Sequence, residues 1–141
     1  LWLVGDGVRR AELESVIVSA GVENRVRLLG IRSDVPQVLK SADVVVMSSH
    51  WEGLSLSNIE GMSSGRPFVA SDVDGLREVT KGYGVLFPHG DAEALAAIIR
   101  HLHDDKAYYD QIADKCYQRA MMFDINKMVD GYESVYKELV P

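Results

Sequence analysis

Two hydrophobic periods alternate along this chain. Short apolar-rich runs at Leu1–Val4, Val26–Leu29, Val44–Met47, Phe68–Ala70 and Val85–Phe87 read as strands, the unbroken ones as strands buried on both faces. Between them, apolar residues recur three and four apart, the spacing of a helix face. Ala11, Leu13, Val16, Ile17 and Ala20 predict a first helix, which Gly21 stops. Val35, Val38 and Leu39 predict a second, capped by Ser33 or Asp34, with Pro36 in its first turn where proline is tolerated. Gly75 to Thr80 reads as a short helix, and Gly82-Tyr83-Gly84 as a turn. Asp91 caps a helix with Ala94, Leu95, Ala97, Ile98, Ile99 and Leu102 as its apolar positions. Two more helices follow, roughly 105–122 and 125–139, the last with a stripe of Met128, Val129, Tyr132, Val135, Tyr136 and Leu139. The alternation predicts an α/β fold, a Rossmann-like parallel sheet flanked by helices, with a helical C-terminus.

The pattern is densest at residues 44–72. A strand, Val44 to Met47, runs into a small-residue and glycine turn. A short helix follows with Leu56, Ile59 and Met62 as its expected core stripe, and Gly65 ends it. A second strand begins at once. The turn of such a β-α-β unit sits at a strand's carboxyl end, where open α/β sheets bind ligands. The first-turn amides, at Ser55, Leu56 and Ser57, lack intrahelical partners and, with the helix dipole behind them, favour an anion such as a phosphate. Gly53 permits close backbone approach by a ligand. Glu52 precedes the helix and Glu60 lies inside it. Ser57-Asn58-Ile59-Glu60 also reads as a capping box, in which Glu60 would bond back to Ser57. A helix that starts near Ser55 instead is longer and leaves Glu60 free.

Composition narrows the class. The 141 residues are about one domain by the usual length prior, and we expect a single domain over 1–141. A hydrophobic share of 47% with 26% charged residues is ordinary for a globular protein. The net charge of −6 comes without a basic cluster, so nucleic acid is not an expected partner. The one cysteine, Cys116, excludes an internal disulfide and fits a reducing, cytoplasmic compartment. No apolar run approaches the roughly 20 residues that span a bilayer. The chain opens inside a strand pattern and without methionine, from which we expect a piece of a longer protein.

The run Glu52-Gly53-Leu54-Ser55, then Glu60-Gly61-Met62-Ser63-Ser64-Gly65-Arg66-Pro67, then Val69-Ala70-Ser71-Asp72-Val73-Asp74-Gly75 resembles the Glu-x7-Glu segment of retaining glycosyltransferases of family 4. This is the C-terminal, donor-binding domain of the glycosyl transferases group 1, one half of a GT-B fold. The resemblance implies transfer of a sugar from a nucleoside diphosphate sugar to an acceptor hydroxyl, with glycan, polysaccharide or glycolipid as product. It makes Glu52 the acid beside the transferred sugar and the reacting carbon. It gives Glu60 the ribose hydroxyls, for which a carboxylate accepting two hydrogen bonds is suited. The amides of Gly53, Leu54 and Ser55 would hold sugar hydroxyls, and those of Leu56 and Ser57 the pyrophosphate. Gly7 would line a glycine loop near the donor phosphates, and Ile31 and Arg32 would border the base; from the residues alone, Arg32 is a solvated loop residue.

The same resemblance implies partners outside this chain: a nucleotide-sugar donor, an N-terminal acceptor domain and an acceptor saccharide or lipid. Membrane contact would come only through other parts of the protein, at the inner face. No cofactor and no metal are expected. The isolated chain would bind nucleotide weakly, turn over little or nothing and self-associate through its cleft or last helix, whose apolar stripe the N-terminal domain would otherwise cover. Three departures from the family pattern stand out: Asp74 where glycine is usual, Gly61 where alanine is usual, and Asn58 where an apolar residue is usual.

Other readings compete. Gly5-x-Gly7 invites a dinucleotide site, but Arg10 holds the third glycine's place, and a tight strand-to-helix turn accounts for it as well. Asp72-x-Asp74 looks like a metal signature in the wrong context. His50, His89, His101 and His103 have no ligand-like spacing, and Cys116 reads as a plain packed or surface thiol. A GT-B-like epimerase or phosphorylase, or a non-catalytic α/β module, would use a similar cradle for different ends.

Overall fold

The computed structural model describes residues 1–140. They form five strands and seven α-helices in alternation, closing with three consecutive helices. The backbone divides into two compact units, Leu1–Val35 and the residues from Pro36 onward.

In the first unit, β1 (Trp2–Val4) pairs in parallel with β2 (Arg27–Gly30). Between them, α1 (Arg10–Ser19) ends with Gly21 at a positive φ. Its closing bonds, Val22 N–H to Ile17 O and Gly21 N–H to Val18 O, satisfy carbonyls the helix leaves free. No residue of this unit is fully buried. That corrects two expectations. The opening strand is not buried, since Trp2 and Val4 are 46% and 47% exposed. The helix face of Leu13 and Val16 is also open to solvent, because two strands and one helix have too little surface to enclose it.

The second unit holds the core. β3 (Val45–Met47), β4 (Phe68–Ser71) and β5 (Val85–Phe87) form a parallel sheet in that order. The central strand is buried at every position, while β3, at the sheet's edge, is only half-buried. α2 (Val35–Ser41) turns Val35, Val38 and Leu39 inward as its spacing predicts. Neither expected cap holds it: Asp34 is engaged with Arg32 instead.

α3 (Leu56–Ser63) starts from Ser55, which excludes the capping box at Ser57. Its core stripe differs from the expected one. Leu56 is 71% exposed, and Asn58, Gly61 and Met62 are buried, with Ile59 half-buried. With the cap at Ser55, the inward positions fall at 55, 58–59 and 61–62, and residue 56 turns out. Gly61 is required here: a Cβ would lie 2.6 Å from the ring of Phe68, itself wholly buried. The departure from alanine thus makes room for an aromatic ring on β4. Asn58 faces Thr80, the last residue of α4 (Leu76–Thr80), at 3.2 Å, while its own Oδ1 has no hydrogen-bond partner.

α5 (Ala92–Asp104) and α6 (Lys106–Ala120) begin at Asp91 and Asp105, each accepting from an amide three residues on. In α5, Ala97 and Ile99 are expected among the apolar positions but are exposed, since they fall off the face that Ala94, Leu95, Ile98 and Leu102 turn inward. A 3-10 turn (Met121–Phe123) leads to α7 (Ile125–Leu139), capped by Asp124. The apolar stripe of α7 is exposed throughout, from Met128 at 50% to Leu139 at 72%. No helix among the described residues is long and apolar enough to cross a membrane.

Cys116 is packed, not superficial, and burial pushes its thiol up from 9.0 to about 11. The native state holds that proton more tightly than the unfolded chain. Its stabilisation is therefore complete below pH 9 and is lost as pH rises through about 11. Alkylation of the native thiol at pH 8 is expected to be far slower than in denaturant, timed by mass spectrometry. The Asn58–Thr80 contact gives a second test, read from urea midpoints. Thr80→Val alone is expected to cost about 1–3 kcal/mol, because it strips a buried amide of its nearer partner. Asn58→Leu/Thr80→Val removes both polar groups and is expected to be near neutral or stabilising.

Candidate functional site

Parallel pairing brings the ends of β3, β4 and β5 to one edge of the second unit. The loop after β3 carries Ser49, His50, Glu52 and Gly53; the turn after β4 carries Asp72, Asp74 and Gly75; the loop after β5 carries His89. Backbone and side-chain bonds join them. Asp72 N–H donates to Phe87 O at 2.8 Å, and Ser71 Oγ donates to Ser49 O at 2.6 Å.

Glu52 is half-buried, and its Oε1 accepts from Ser49 Oγ at 2.8 Å. Its second oxygen has no protein partner among the described residues. Beneath it, Gly75 has φ +66°, and a Cβ there would lie 2.1 Å from Gly53 O and 2.4 Å from Glu52 O. Only glycine lets the two backbones meet at this distance. Asp74, the departure just before it, takes an ordinary negative φ. Its carboxylate and that of Asp72 share Arg77, which bonds Asp72 Oδ1 at 2.6 Å and Asp74 Oδ1 at 3.1 Å. The bond that Arg77 donates to Asp72 holds the guanidinium still more firmly in its charged form. The two aspartates are thus an ion-paired brace for α4.

At the start of α3, the amides of Leu56 and Ser57 donate to no protein acceptor among the described residues. The Asn58 amide is drawn back to Ser55 O at 3.1 Å. Ser55 is buried and its hydroxyl turns toward Met47 Sδ. Glu60 is exposed and makes no side-chain hydrogen bond or ion pair among the described residues. Leu54 and Leu56 stand out from the surface, as does Trp51 at 79% exposure.

The first unit holds the other candidates at the matching ends of β1 and β2. Gly5 N–H donates to Gly30 O there at 2.8 Å. Gly7 is exposed, with its amide on Asp6 Oδ1. Ile31 is 85% exposed. Arg32 makes a two-bond ion pair with Asp34, at 2.7 and 2.6 Å, and holds that carboxyl below its usual range. Its guanidinium is therefore committed to a neighbour, close to the solvated-loop reading.

Three contributors escaped the sequence reading. Ser49 and Arg77 act through contacts no local motif announces. The third is a contact between histidines, His50 Nδ1 to His89 Nε2 at 2.8 Å, across a separation of 39 residues. Gly75 was within the quoted motif, but its role needed the fold.

The profile of the family "Glycosyl transferases group 1" matches residues 1–105. The chain belongs to that family. This group 1 glycosyltransferase chain is 30% identical, over 98% of its length, to an α-1,3-galactosyltransferase of Escherichia coli that uses UDP-Gal and GlcNAc-diphosphoundecaprenol. It is 35% identical over 80% of its length to the lipopolysaccharide core biosynthesis glycosyltransferase LpsD of Rhizobium meliloti. It spans 36% and 34% of those two proteins. Among solved structures, Anabaena HepE with UDP superposes over 97% of the chain and 40% of HepE, with a TM-score of 0.91 and 29% identity. The complex of HepE with UDP-glucose gives 0.89 at 30% identity. The group 1 chain accordingly has the expected class of fold, the Rossmann-like part of a GT-B enzyme with its closing helices.

Gly75→Ala tests the close approach. It is expected to lower stability by about 1–3 kcal/mol more than Gly82→Ala. Gly82 also has a positive φ, but its added methyl would meet nothing within 4 Å. Urea midpoints of the two variants make the comparison.

Proposed function

We propose that this chain is the donor-binding part of a retaining glycosyltransferase that takes a UDP-sugar and passes the sugar to an acceptor hydroxyl of a glycan, polysaccharide or glycolipid. The observation that carries this reading is the pair of unpartnered amides at Leu56 and Ser57, flanked in sequence by two acids with free oxygens. A helix start with open N–H groups holds a diphosphate by hydrogen bonds and by its dipole. The UDP and UDP-glucose complexes of HepE support uridine as the base.

In this reading Glu60 accepts hydrogen bonds from the ribose hydroxyls. Glu52, braced by Ser49, stands beside the reacting carbon, where its charge stabilises a positive, oxocarbenium-like transition state. The amides of Gly53 to Ser55 hold the sugar. Amides already fixed in position need no reorganisation as charge moves onto the leaving diphosphate. This reading calls for no metal, because the α3 amides and the helix dipole meet the diphosphate charge. The acceptor is held by a further, N-terminal domain, and the exposed stripe of α7 is the surface that domain covers. The protein works in the cytoplasm, at the membrane face where lipid-linked acceptors are built.

Calorimetric titration with UDP, GDP and ADP tests the donor site. UDP is expected to bind most tightly, and Glu60→Ala to weaken it about tenfold or more, as for loss of hydrogen bonds to a charged group. Equal heats for the wild type and Glu60→Ala would remove Glu60 from the ribose role. The isolated chain is expected to transfer no measurable sugar, and turnover by it would overturn the need for a second domain.

A further inference from the structure

The loop that carries Glu52 is fixed at three points. Ser71 Oγ holds Ser49 O from β4, and the backbone of Gly75 lies directly against the carbonyls of residues 52 and 53. The third point is the contact between His50 Nδ1 and His89 Nε2, with ring centroids 4.5 Å apart and the rings edge to face. It ties this loop to the one after β5, across the end of β4. His50 lies between Ser49, which donates to Glu52 Oε1, and Glu52 itself.

We infer that His50 and His89 are positioning residues for the transferase, a couple that holds the Glu52 carboxylate at the donor sugar and lets it go when both rings are protonated. This deepens the proposed function and rests on the role given there to Glu52. The chemistry follows from the bond itself. One of the two facing nitrogens donates and the other accepts, so the couple exists with no added proton or with one. A second proton puts an N–H on both facing nitrogens and a positive charge on both rings. The bond is then lost and the rings repel.

Of the acids on the surrounding elements, one oxygen of Glu52 and the carboxylate of Glu93 have no partner among the described residues. Asp72 and Asp74 are paired with Arg77, and Asp91 caps α5. Glu93 follows in the first turn of α5. Neither His50 nor His89 forms an ion pair among the described residues; the one histidine that does is His101, with Asp105. The two rings are therefore held to each other and not to a carboxylate among the described residues.

The test uses the whole transferase, with UDP binding and sugar turnover measured separately from pH 5 to 8. His89→Ala is expected to leave UDP affinity within about twofold, since the α3 amides and Glu60 are off this loop. It is expected to lower kcat for the UDP-sugar about tenfold and to flatten the fall of kcat toward acid pH. His89→Gln, which can still bond His50 but cannot take the second charge, is expected to recover most of the turnover while keeping the flattened profile. Wild-type kcat and wild-type pH dependence in both variants would overturn the couple, as would loss of UDP binding in step with loss of turnover. Imidazole 15N shifts give a readout independent of donor chemistry: the two rings should titrate as a coupled pair, and two independent curves would overturn the inference. A wild-type protein that shows coupled rings but no affinity for UDP would instead sink the proposed function.

Discussion

The second unit is organised by the complete burial of one strand. β4 is covered at all four of its positions, with β3 and β5 as neighbours and helices on its faces. A parallel strand in that place can be covered only where its neighbours leave room, and Gly61 provides it above Phe68. Because the three strands run the same way, their carboxyl ends arrive together. Everything placed at the candidate site is attached to one of those ends or to the helix that follows.

The backbone, more than the side chains, sets the geometry there. Gly75 brings the turn after β4 against the peptide that bears Glu52, and no other residue type fits. Side chains then trim the arrangement. Ser49 steadies one oxygen of Glu52, and Arg77 draws in the two aspartates that would otherwise crowd the same edge with negative charge. Among the described residues, the backbone amides from Gly53 to Ser57, one oxygen of Glu52 and the carboxylate of Glu60 remain open. Donors and acceptors left free side by side suit a site meant to meet a charged, hydroxyl-rich ligand.

Much of this was legible in the residues. The strands, the helix from Ser55, the caps at Asp91 and the stripe on α7 all follow from period and capping chemistry, which are local. The family follows from a run in which two acids, a glycine and a helix stand in fixed order. The misses have a common cause. Leu56 reads as core by spacing, but where a helix face points depends on which residue caps it. Asn58 reads as out of place until Thr80, 22 residues on, is seen to meet it. Leu1–Val4 reads as buried because composition cannot say how many layers cover a strand. Contacts such as His50 with His89 join loops that only the sheet brings near each other.

One feature of the first unit reaches beyond its own geometry. With no fully buried residue, its elements are held by backbone hydrogen bonds, surface ion pairs and half-covered side chains. Opening such a segment exposes little new apolar surface, so it costs little free energy. The second unit must give up Phe68, Met62, Leu76 and Leu102 before it can open. Resistance to unfolding is therefore graded along this polypeptide. The β3–β5 sheet is the last part to melt, and residues 1–35 can come apart and re-form many times before it does.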